Sequence, residues 1–438
     1  MASFSIPLTG LEADSTALNT VANDLSNMNT TAFKAQSTNF ANLFYQQIGS
    51  TGSGDPIQVG AGTTVANTET DFTAGTPNST GLSSNVALQG SGFFVVGDEG
   101  AQYLTRNGDF QTDANGNLVT SNGASVMGYP AANGVINTAA PLTAINIPMD
   151  QVQQPQATTT MSIAGNLDAG TQAGTTFPAQ ITVYDSLGEP QVATISFEPG
   201  AAANTWTYSA SLPASAYSTA PGDAAPAAIT GTLTFDQNGN LIQVQPTGQA
   251  NPSNVGTAAG DVQSIDLNFN PAATNVLADG AAGLNIQWNL LGTGGTPAIS
   301  QVAASASSLS STSQNGYTTG EYEGYAIGSD GTVTVSYSNG NDNVVVGQLA
   351  LANVANDQGL QMLGNGEYAT TSASGTAVIG TSGTAGLGTM EDGALEASNV
   401  NISTEFSDLI VAQRAFEANA KSVTTFDQVT EDTINMVH

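Results

Sequence analysis

The sequence predicts a mixed α and β fold, in which N- and C-terminal α-helices form a coiled-coil-like pair and two nested, mainly antiparallel β domains lie between them. Three observations predict it. Apolar residues recur every seven residues near both ends of the 438-residue chain. The interior instead carries strand-sized apolar runs separated by Asn-Gly and similar turn signals. Two low-complexity stretches, 148–156 and 303–313, divide that interior into blocks.

The N-terminal segment has the pattern of an amphipathic helix. Its seven-residue stripe and the adjoining edge consist of Phe4, Leu11, Leu18, Leu25, Val21 and Met28. Pro7 stands near the start, where a helix tolerates a missing N–H best. The narrow stripe predicts a helix that packs against other helices.

The C-terminal segment repeats this pattern over a longer stretch. Its apolar residues are Leu395, Ile402, Leu409, Phe416 and Val423 at heptad positions, with Phe406 and Ile410 widening the face. Ser403, Thr404 and Glu405 precede the run and are predicted to supply the N-cap and the first turn. Glu417 is placed to bridge Arg414 and Lys421 along the helix surface, at ~0.2–0.5 kcal/mol per pair.

The predicted domains follow from these boundaries. Residues 1–30 plus 398–438 form a terminal helical domain, and 31–80 form an extended connector rich in Thr, Gly and Asn. Residues 81–150 plus 297–397 form an inner β domain, and 151–296 form a second β domain inserted into it. In this arrangement the two termini meet and the middle of the chain is an enlarged loop.

The charge balance excludes several classes of partner. The chain has 4 Lys and Arg residues against 35 Asp and Glu residues, which gives a net charge of −31. Nucleic acid and anionic membrane surfaces are therefore not expected as partners, because both are bound through cations. With so few cations, we expect apolar burial and hydrogen bonds, and not salt bridges, to hold the fold together.

The sequence contains few of the residue types that usually carry catalysis. Cysteine is absent and the single histidine is His438, which removes Cys-His and Ser-His-Asp catalysis and most metal sites. The segments DANGN (113–117) and DQNGN (236–240) lack the Gly and Glu spacing of a calcium loop, so we interpret both as hairpin turns, with Asn238-Gly239 suited to type I′. We predict no enzyme activity, no cofactor and no metal.

The start of the chain lacks the basic and apolar regions of a Sec signal peptide, and no run approaches the ~20 apolar residues of a membrane span. Export, if it occurs, is expected to use another machine.

The terminal stripes have two interpretations. They pack on each other and on the β blocks as ordinary core, or they remain incomplete until other copies of the chain cover them. Helices of this length are marginal in water without packing partners. The connector between helices and β blocks favours the second interpretation, which means polymerisation.

Three asparagines accompany the N-terminal stripe. Asn19, Asn23 and Asn27 lie four residues apart, on one face of the predicted helix. Because Asn is a weak helix former, one hypothesis is that they hydrogen-bond to a neighbouring helix in an assembly. A plain solvated face is the alternative.

Several stretches, in order along the chain, carry a resemblance to a known family. Residues 17–36 have Leu18, Asn23, Asn27, Thr30, Phe33 and Lys34 at signature positions, and Ala32-Phe33 stands where that signature has Gly-Tyr. Residues 393–423 match a second signature at Leu395, Glu396, Ser398, Asn399, Val400, Gln413, Arg414, Phe416, Asn419 and Lys421. GSGFFVV, VYDSLGEP (183–190) and QNGYTTG (314–320) match the middle. Together they resemble the axial rod and hook proteins of the bacterial flagellum and, among these, the hook proteins.

The resemblance implies a structural subunit of the hook, which joins rod to filament as a curved, flexible tube, transmits torque and encloses an export channel. It implies self-association into a homopolymer, contacts with distal rod, hook cap and hook–filament junction proteins, and export by the flagellar type III apparatus to an extracellular location. The predicted assembly residues are Leu11, Leu18, Val21, Leu25, Asn23, Asn27, Ile402, Phe406, Leu409, Gln413, Arg414, Phe416 and Val423.

Alternatives stay open at this point. A distal rod or hook–filament junction subunit would share the terminal signatures. A secreted acidic adhesin or surface-layer protein would share the Thr- and Gly-rich β composition, but it would normally carry a Sec signal and lack paired terminal heptads. A carbohydrate-active β enzyme is the weakest alternative.

Overall fold

A computed structural model describes residues 5–50, 52–53, 55–98, 100–132, 134–217, 226–270, 276–292, 294–303, 306–341 and 343–436. The chain is mostly β, with a helix near each end: α1 (Ser5–Ser26) and α2 (Ile402–Met436). Among the described residues, two short 3₁₀ helices, Ala214–Ala216 and Asp357–Gly359, lie between strands. Phe4 and His438 lie outside the described residues.

The chain divides into two compact units. The first comprises the described residues of Met1–Asp150, Gly324–Ser336 and Asp342–His438, and the second those of Gln151–Glu323 and Tyr337–Asn341. Within the described residues, neither helix combines the length and the apolar composition that crossing a bilayer requires.

The largest sheet of the first unit is built mainly from antiparallel pairs. Its principal strands, in order across the sheet, are Thr332–Tyr337, Val344–Leu349, Ser125–Ala132, Phe93–Asp98, Ala101–Thr105, Glu367–Ala369 and Gln361–Gly364. Shorter strands add to it: Phe110–Thr112, Leu118–Thr120, Val135–Ile136, Thr143–Ala144, Leu351–Asn353 and Val378–Gly380. Tyr322–Ile327 precedes Thr332–Tyr337 along the chain, and each of these two strands crosses a boundary between the units.

Aromatic side chains occupy the core of this sheet. The rings of Phe93, Tyr368 and Phe72 pack against one another, with centroids 5.5–5.8 Å apart. Phe93 and Val95 face this cluster, while Phe94 and Val96 are buried on the other face of the strand, where the Phe94 ring packs on Phe110. The core therefore rests on apolar burial, as composition predicted.

The segment between α1 and this sheet turns back on itself twice. Gln36–Asn42 pairs with Thr63–Thr70, and Gln46–Ser50 pairs with Pro56–Val59, both antiparallel. Two further pairs join early and late parts of the chain: Pro77–Ser79 with Ala394–Glu396, and Val86–Gln89 with Thr389–Asp392. The first pair of strands contacts α1, with Thr38 Oγ1 and Thr20 Oγ1 3.1 Å apart. The extended connector predicted for 31–80 thus contains two pairs of strands, and its role as a connector stays a prediction.

The second unit contains two sheets. An antiparallel meander runs through Phe177–Tyr184, Pro190–Pro199, Thr205–Ser211, Ile229–Phe235, Leu241–Pro246 and Ser253–Asn254. The other sheet comprises Ser264–Asn268, Asn285–Asn289, Thr160–Asp168, Ile299–Val302 and Ser308–Gln314. Thr160–Asp168 pairs in parallel with two of its neighbours. One core fills the unit, where Trp288 makes edge contacts with Phe197 and Tyr208 at centroid distances of 6.0 and 5.5 Å.

The Asp-initiated loops are hairpin turns, as predicted, but the type I′ prediction at Asn238-Gly239 is wrong. Only Gly239 of that pair has a positive φ, +82°, whereas type I′ needs two. Asp236 causes the difference, because its Oδ1 accepts the N–H groups of Asn238 and Asn240 at 2.9 and 2.7 Å. Asp113 holds its own turn in the same way. Among the described residues, no cluster of His, Asp or Glu is arranged to hold a metal ion.

Candidate assembly surfaces of the terminal segments

The two helices contact each other and run in opposite directions. Asn419 Nδ2, at the middle of α2, donates to Asp14 Oδ2 at 2.8 Å in the first half of α1. Burial raises the pKa of Glu405, near the start of α2, and Asp24, near the end of α1, is close enough to raise it further. Gly10 permits the close approach, because a Cβ built there would lie 2.6 Å from Asn419 Nδ2. The N-terminal and C-terminal helices of one chain therefore pack against each other. That they do so with coiled-coil geometry stays a prediction.

Small and polar residues, and not leucines, form the most buried face of α1. The buried positions are Pro7, Gly10, Ala13, Thr20, Val21 and Asp24. The predicted stripe residues Leu11, Leu18 and Leu25 are half-buried at the flank of this face. Sequence reasoning missed this face because the leucine heptad is the stronger signal. The recurrence of small residues at positions 10, 13, 17 and 20 could have indicated it.

The start of α2 corrects the predicted cap. Asn401 is the N-cap: its Oδ1 accepts the N–H groups of Ser403 and Thr404 at 3.0 and 3.4 Å, and its carbonyl accepts the N–H of Glu405 at 2.9 Å. The prediction of Ser403 or Thr404 as the cap is wrong. Asn, Ser and Thr are all favoured N-cap residues, so residue type alone does not decide which of them caps the helix.

No residue of α2 is buried over its 35 residues. Its apolar side chains lie open on one face in the first half of the helix: Ile402, Phe406, Ile410 and Phe416 are exposed, and Leu409 is half-buried beside them. We call these five residues the outer apolar face. Gln413 and Arg414 are also exposed, while Val423 is half-buried. Phe406, for example, has 52% of its surface exposed to solvent.

The other side of α2 borders a groove rich in carboxylates. The groove encloses about 570 Å³ between α1, α2 and the strand Gln36–Asn42, and four acids line it: Asp14, Asp71, Glu405 and Asp408. We call it the acidic groove. No Lys or Arg is among its described lining residues.

Asp24 is buried beside the acidic groove. Its Oδ2 accepts the N–H of Gln36 at 2.7 Å, while its Oδ1 has no hydrogen-bond partner. Burial raises the pKa of Asp24 to about 6, against the lowering effect of the Gln36 hydrogen bond. Burial, followed by the negative charges of Asp24 and Asp408, also raises the pKa of Glu405. Negative charge is therefore poorly stabilised here in a single copy.

Of the three asparagines Asn19, Asn23 and Asn27, only the last has its side chain held by several hydrogen bonds within its own chain. Asn27 Nδ2 donates to the carbonyl of Asn23 at 2.9 Å, and Asn27 Oδ1 accepts from Thr30 Oγ1 at 3.0 Å. Asn19 and Asn23 are exposed. These contacts end the helix locally, and the hypothesis of bonds to a neighbouring copy stays a prediction.

A buried ion cluster corrects the expectation that salt bridges play no part in the fold. Glu396 accepts from Lys34 Nζ at 2.5 Å and lies 3.4 Å from Arg106 Nη1, and all three side chains are at most 3% exposed. Arg106 also donates to the Gly90 and Gly92 carbonyls, and Lys34 Nζ donates to the Thr73 carbonyl at 2.7 Å. Two of the four cations thus join three distant parts of the chain. Sequence spacing contains no sign of it, because the partners are 290 and 362 residues apart.

The turn before Lys34 shows how Ala32 replaces the glycine of the family signature. Ala32 has φ = +56°, in the left-handed region, and its N–H donates to the Glu396 carbonyl at 2.8 Å. The conformation is kept although a Cβ makes it less favourable. The buried contacts around Lys34 and Glu396 supply the compensating free energy.

The predicted charge bridge on α2 forms in part. Arg414 and Glu417 lie 3.9 Å apart on the exposed surface. The expected second pair, between Glu417 and Lys421, is not formed, although both residues are described. An exposed pair at this distance contributes little to stability.

Three family models match successive parts of the chain. Residues 87–166 match the model described as flagellar hook protein FlgE/F/G D1 domain. Residues 154–317 match flagellar basal body protein FlaE D2 domain, and residues 391–436 match flagellar basal body rod FlgEFG protein C-terminal. All three descriptions name parts of the bacterial flagellum: its hook, its basal body or the rod of that body.

Full-length relatives make the assignment narrower. The flagellar hook protein FlgE of Escherichia coli strain K12 is 33% identical over 99% of both chains, and that of Treponema pallidum is 32% identical over 98% of both. This chain belongs to the flagellar hook protein family. The crystal structure of Helicobacter pylori flagellar hook protein FlgE2 has a similar fold, with a TM-score of 0.52 and 14% identity over 73% of this chain and all of that one.

Proposed function

We propose that this chain is the structural subunit of the flagellar hook and that it self-assembles through its terminal helices into a curved, flexible tube. The outer apolar face of α2 carries the proposal, because it leaves large side chains in water in a protein whose full-length relatives are hook proteins. A monomer gains nothing from such a face, whereas neighbouring copies bury it.

The terminal segments, 1–30 plus 398–438, form the inner tube around an export channel, with the two helices paired as a coiled coil. Residues 81–150 plus 297–397 form an inner β domain, and 151–296 form an outer β domain nested within it. The segment 31–80 connects the helices to these domains. The antiparallel contact of α1 with α2 and the meeting of early and late strands support this arrangement.

The scarcity of exposed cations suits a flexible joint. A rotating bent tube shortens on one side and lengthens on the other, so neighbouring subunits slide at every turn. Polar β surfaces with few ion pairs slide at low cost, whereas directional Arg–carboxylate pairs would break and re-form. The helices, held by apolar burial, maintain continuity and transmit torque.

The same function assigns partners and location. The subunit contacts other copies of itself, the distal rod, the hook cap and the hook–filament junction proteins, and it reaches the extracellular flagellum through the type III export apparatus. We propose no enzymatic activity, no cofactor and no nucleic-acid or membrane partner.

A distal rod or junction role is the second candidate, favoured by the C-terminal match, whose description names the rod. The match of residues 154–317 to a D2 domain favours the hook. Electron microscopy of the polymer separates them, since a hook subunit forms curved tubes and a rod subunit forms straight ones.

The proposal is tested by truncating side chains of the outer apolar face to alanine. Leu409→Ala and Phe416→Ala are expected to abolish tube formation by salted-out protein in electron micrographs. The melting temperature of the monomer is expected to change little, because neither residue is buried. Leu187→Ala, an exposed leucine in the second unit, is the matched control and is expected to assemble normally. Normal tubes from both α2 variants would show that this face does not drive assembly.

A further inference from the structure

The accessible positive charge of this protein is concentrated on one helix. Lys34 and Arg106 are buried on Glu396, which leaves Arg414 and Lys421, both on α2. The Arg414 side chain is 79% exposed and Lys421 is exposed as well. They lie seven residues apart, so they point in nearly the same direction and are separated by about 10.5 Å along the helix axis.

The acidic groove has the opposite character. Asp14, Asp71, Glu405 and Asp408 line it without a cation among its described lining residues. Beside it the fully buried Asp24 has a carboxylate oxygen, Oδ1, that no hydrogen bond reaches. A buried carboxylate with one unpaired oxygen, beside a groove lined by four further acids, favours added positive charge, and its own chain places no Lys or Arg in that lining.

A single copy does not place its helix cations in its own groove. The α2 residues that line the groove are Thr404, Glu405, Asp408, Val411, Ala412 and Ala415, and neither Arg414 nor Lys421 is among them. At about 100° per residue, the two cations project about 120–140° away from the middle of this lining set. The complementary surfaces therefore meet only between copies, in a contact that joins two different faces of the chain. Contacts of this kind are heterologous, and they produce rings or open helical assemblies instead of closed two-fold pairs.

We propose that Arg414 and Lys421 of one copy bind in the acidic groove of a second copy, and that this head-to-tail pairing sets the direction in which subunits add. The inference rests on the proposed function in that it assumes a polymer, and it names the surfaces that the polymer joins. Arg414 forms charge-assisted hydrogen bonds to groove carboxylates in the bound state. Its weak pair with Glu417 is given up at little cost.

The test uses two full-length variants with reversed charge. The acidic-helix variant carries Arg414→Glu and Lys421→Glu, and the basic-groove variant carries Glu405→Lys and Asp408→Lys. The acidic-helix variant alone places negative charge on both surfaces, and the basic-groove variant alone leaves the groove without net negative charge, since only Asp14 and Asp71 remain to balance the two lysines. Each is expected to raise the critical concentration for polymerisation, measured by sedimentation, at least tenfold. Mixed one to one, the unchanged helix cations of the basic-groove variant meet the unchanged groove of the acidic-helix variant, and the reversed helix meets the introduced lysines. The mixture is therefore expected to polymerise near the wild-type critical concentration.

Matched controls isolate position from net charge. Asp427→Lys with Glu431→Lys changes the net charge as much as the basic-groove variant does, on exposed residues of the same helix outside the groove, and is expected not to rescue the acidic-helix variant. Mg²⁺ added to the acidic-helix variant is expected not to restore assembly. Rescue by Mg²⁺ alone would mean that the groove takes a cation from solution, and this would overturn the proposal.

The remaining outcomes separate this inference from the proposed function. If the wild-type chain forms no tubes, the proposed function fails. If the wild type assembles but the mixture does not, or if either variant assembles alone like the wild type, only the pairing is wrong. Should charge reversal lower the monomer melting temperature, the neutral variants Arg414→Gln and Asp408→Asn serve in a double-mutant cycle. The double variant is then expected to lose no more assembly than the worse single variant.

Discussion

The second unit and the terminal helix α2 show two different ways of using apolar residues. In the second unit Trp206, Tyr208 and Trp288 are at most 2% exposed, and both sheets close over them. In α2 the comparable side chains Phe406 and Phe416 remain exposed, and no residue is buried. The first region is completed by its own chain, whereas the second presents surface that its own chain does not cover. Stability and assembly are therefore separable properties of this molecule.

The largest expected effect tests this separation with two aromatic truncations. Trp288→Ala removes a buried ring that packs on Phe197 and Tyr208, and it is expected to lower the free energy of unfolding of the second unit by about 3–5 kcal/mol. Urea unfolding followed by Trp206 fluorescence measures it. Phe406→Ala, at an exposed position of α2, is expected to change monomer stability by less than about 0.5 kcal/mol while impairing tube formation. Equal losses of monomer stability from both variants would remove the distinction.

A buried and an exposed glutamate sharpen the comparison within the first unit. Glu396→Gln leaves the Lys34 and Arg106 charges buried without a counter-charge and is expected to cost about 3 kcal/mol of unfolding free energy. Burial already lowers the pKa of Lys34, so the deficit is expected to shrink at alkaline pH, where the ammonium can lose its proton. Glu417→Gln on the surface of α2 is the matched change and is expected to cost less than about 0.5 kcal/mol. Chemical denaturation monitored by circular dichroism measures both.

Asp24 gives a smaller effect and a pH dependence of defined sign. Its pKa of about 6 in the folded chain lies above the ordinary 3.8, so the folded state holds the proton more tightly. The contribution of Asp24 to stability is therefore present below about pH 4 and is lost as pH rises through 6. Asp24→Asn keeps an acceptor for the Gln36 N–H and is expected to raise stability at pH 7.5 by about 1–2 kcal/mol. An unchanged pH profile of thermal unfolding in this variant would contradict the assignment.

The smallest expected effect concerns a turn of the second unit. Hydrogen bonds from Asn240 and Asn238 lower the pKa of Asp236, so its stabilising contribution is present at neutral pH and is lost as pH falls through that lowered value. Asp236→Ala is expected to lower the melting temperature slightly at pH 7, and the difference from the wild type is expected to disappear in acid. A difference that persists in acid would assign the effect to backbone conformation instead of the carboxylate.

The sequence predicted those parts of the fold that depend on local pattern. Heptad spacing indicated both helices, and alternating apolar residues in segments such as ITVYDSLGEP indicated the strands of the second unit. The hairpin turns at Asp113 and Asp236 were predicted from composition, but the turn type was not, because the side-chain acceptor at the first position decides it.

The features missed by sequence reasoning depend on contacts between distant residues. Lys34, Arg106 and Glu396 meet only after the sheet has formed, and net charge alone suggested that ion pairs are unimportant here. The burial of Asp24 follows from the crossing of α1 with the strand that begins at Gln36. The predicted assembly residues of α2 were located by their spacing, yet only the structure shows that several of them are exposed in a single copy.

Hydrogen–deuterium exchange of the free chain and of the assembled tube tests the central claim most directly. In the dilute free chain, the α2 amides are expected to exchange quickly while those of the second-unit meander stay protected, because local stability follows buried contacts. On assembly, protection of α2 is expected to rise on the order of a hundredfold, with little change in the meander. Equal and strong protection of α2 in both states would contradict the account, since the helix would then be complete without neighbouring copies.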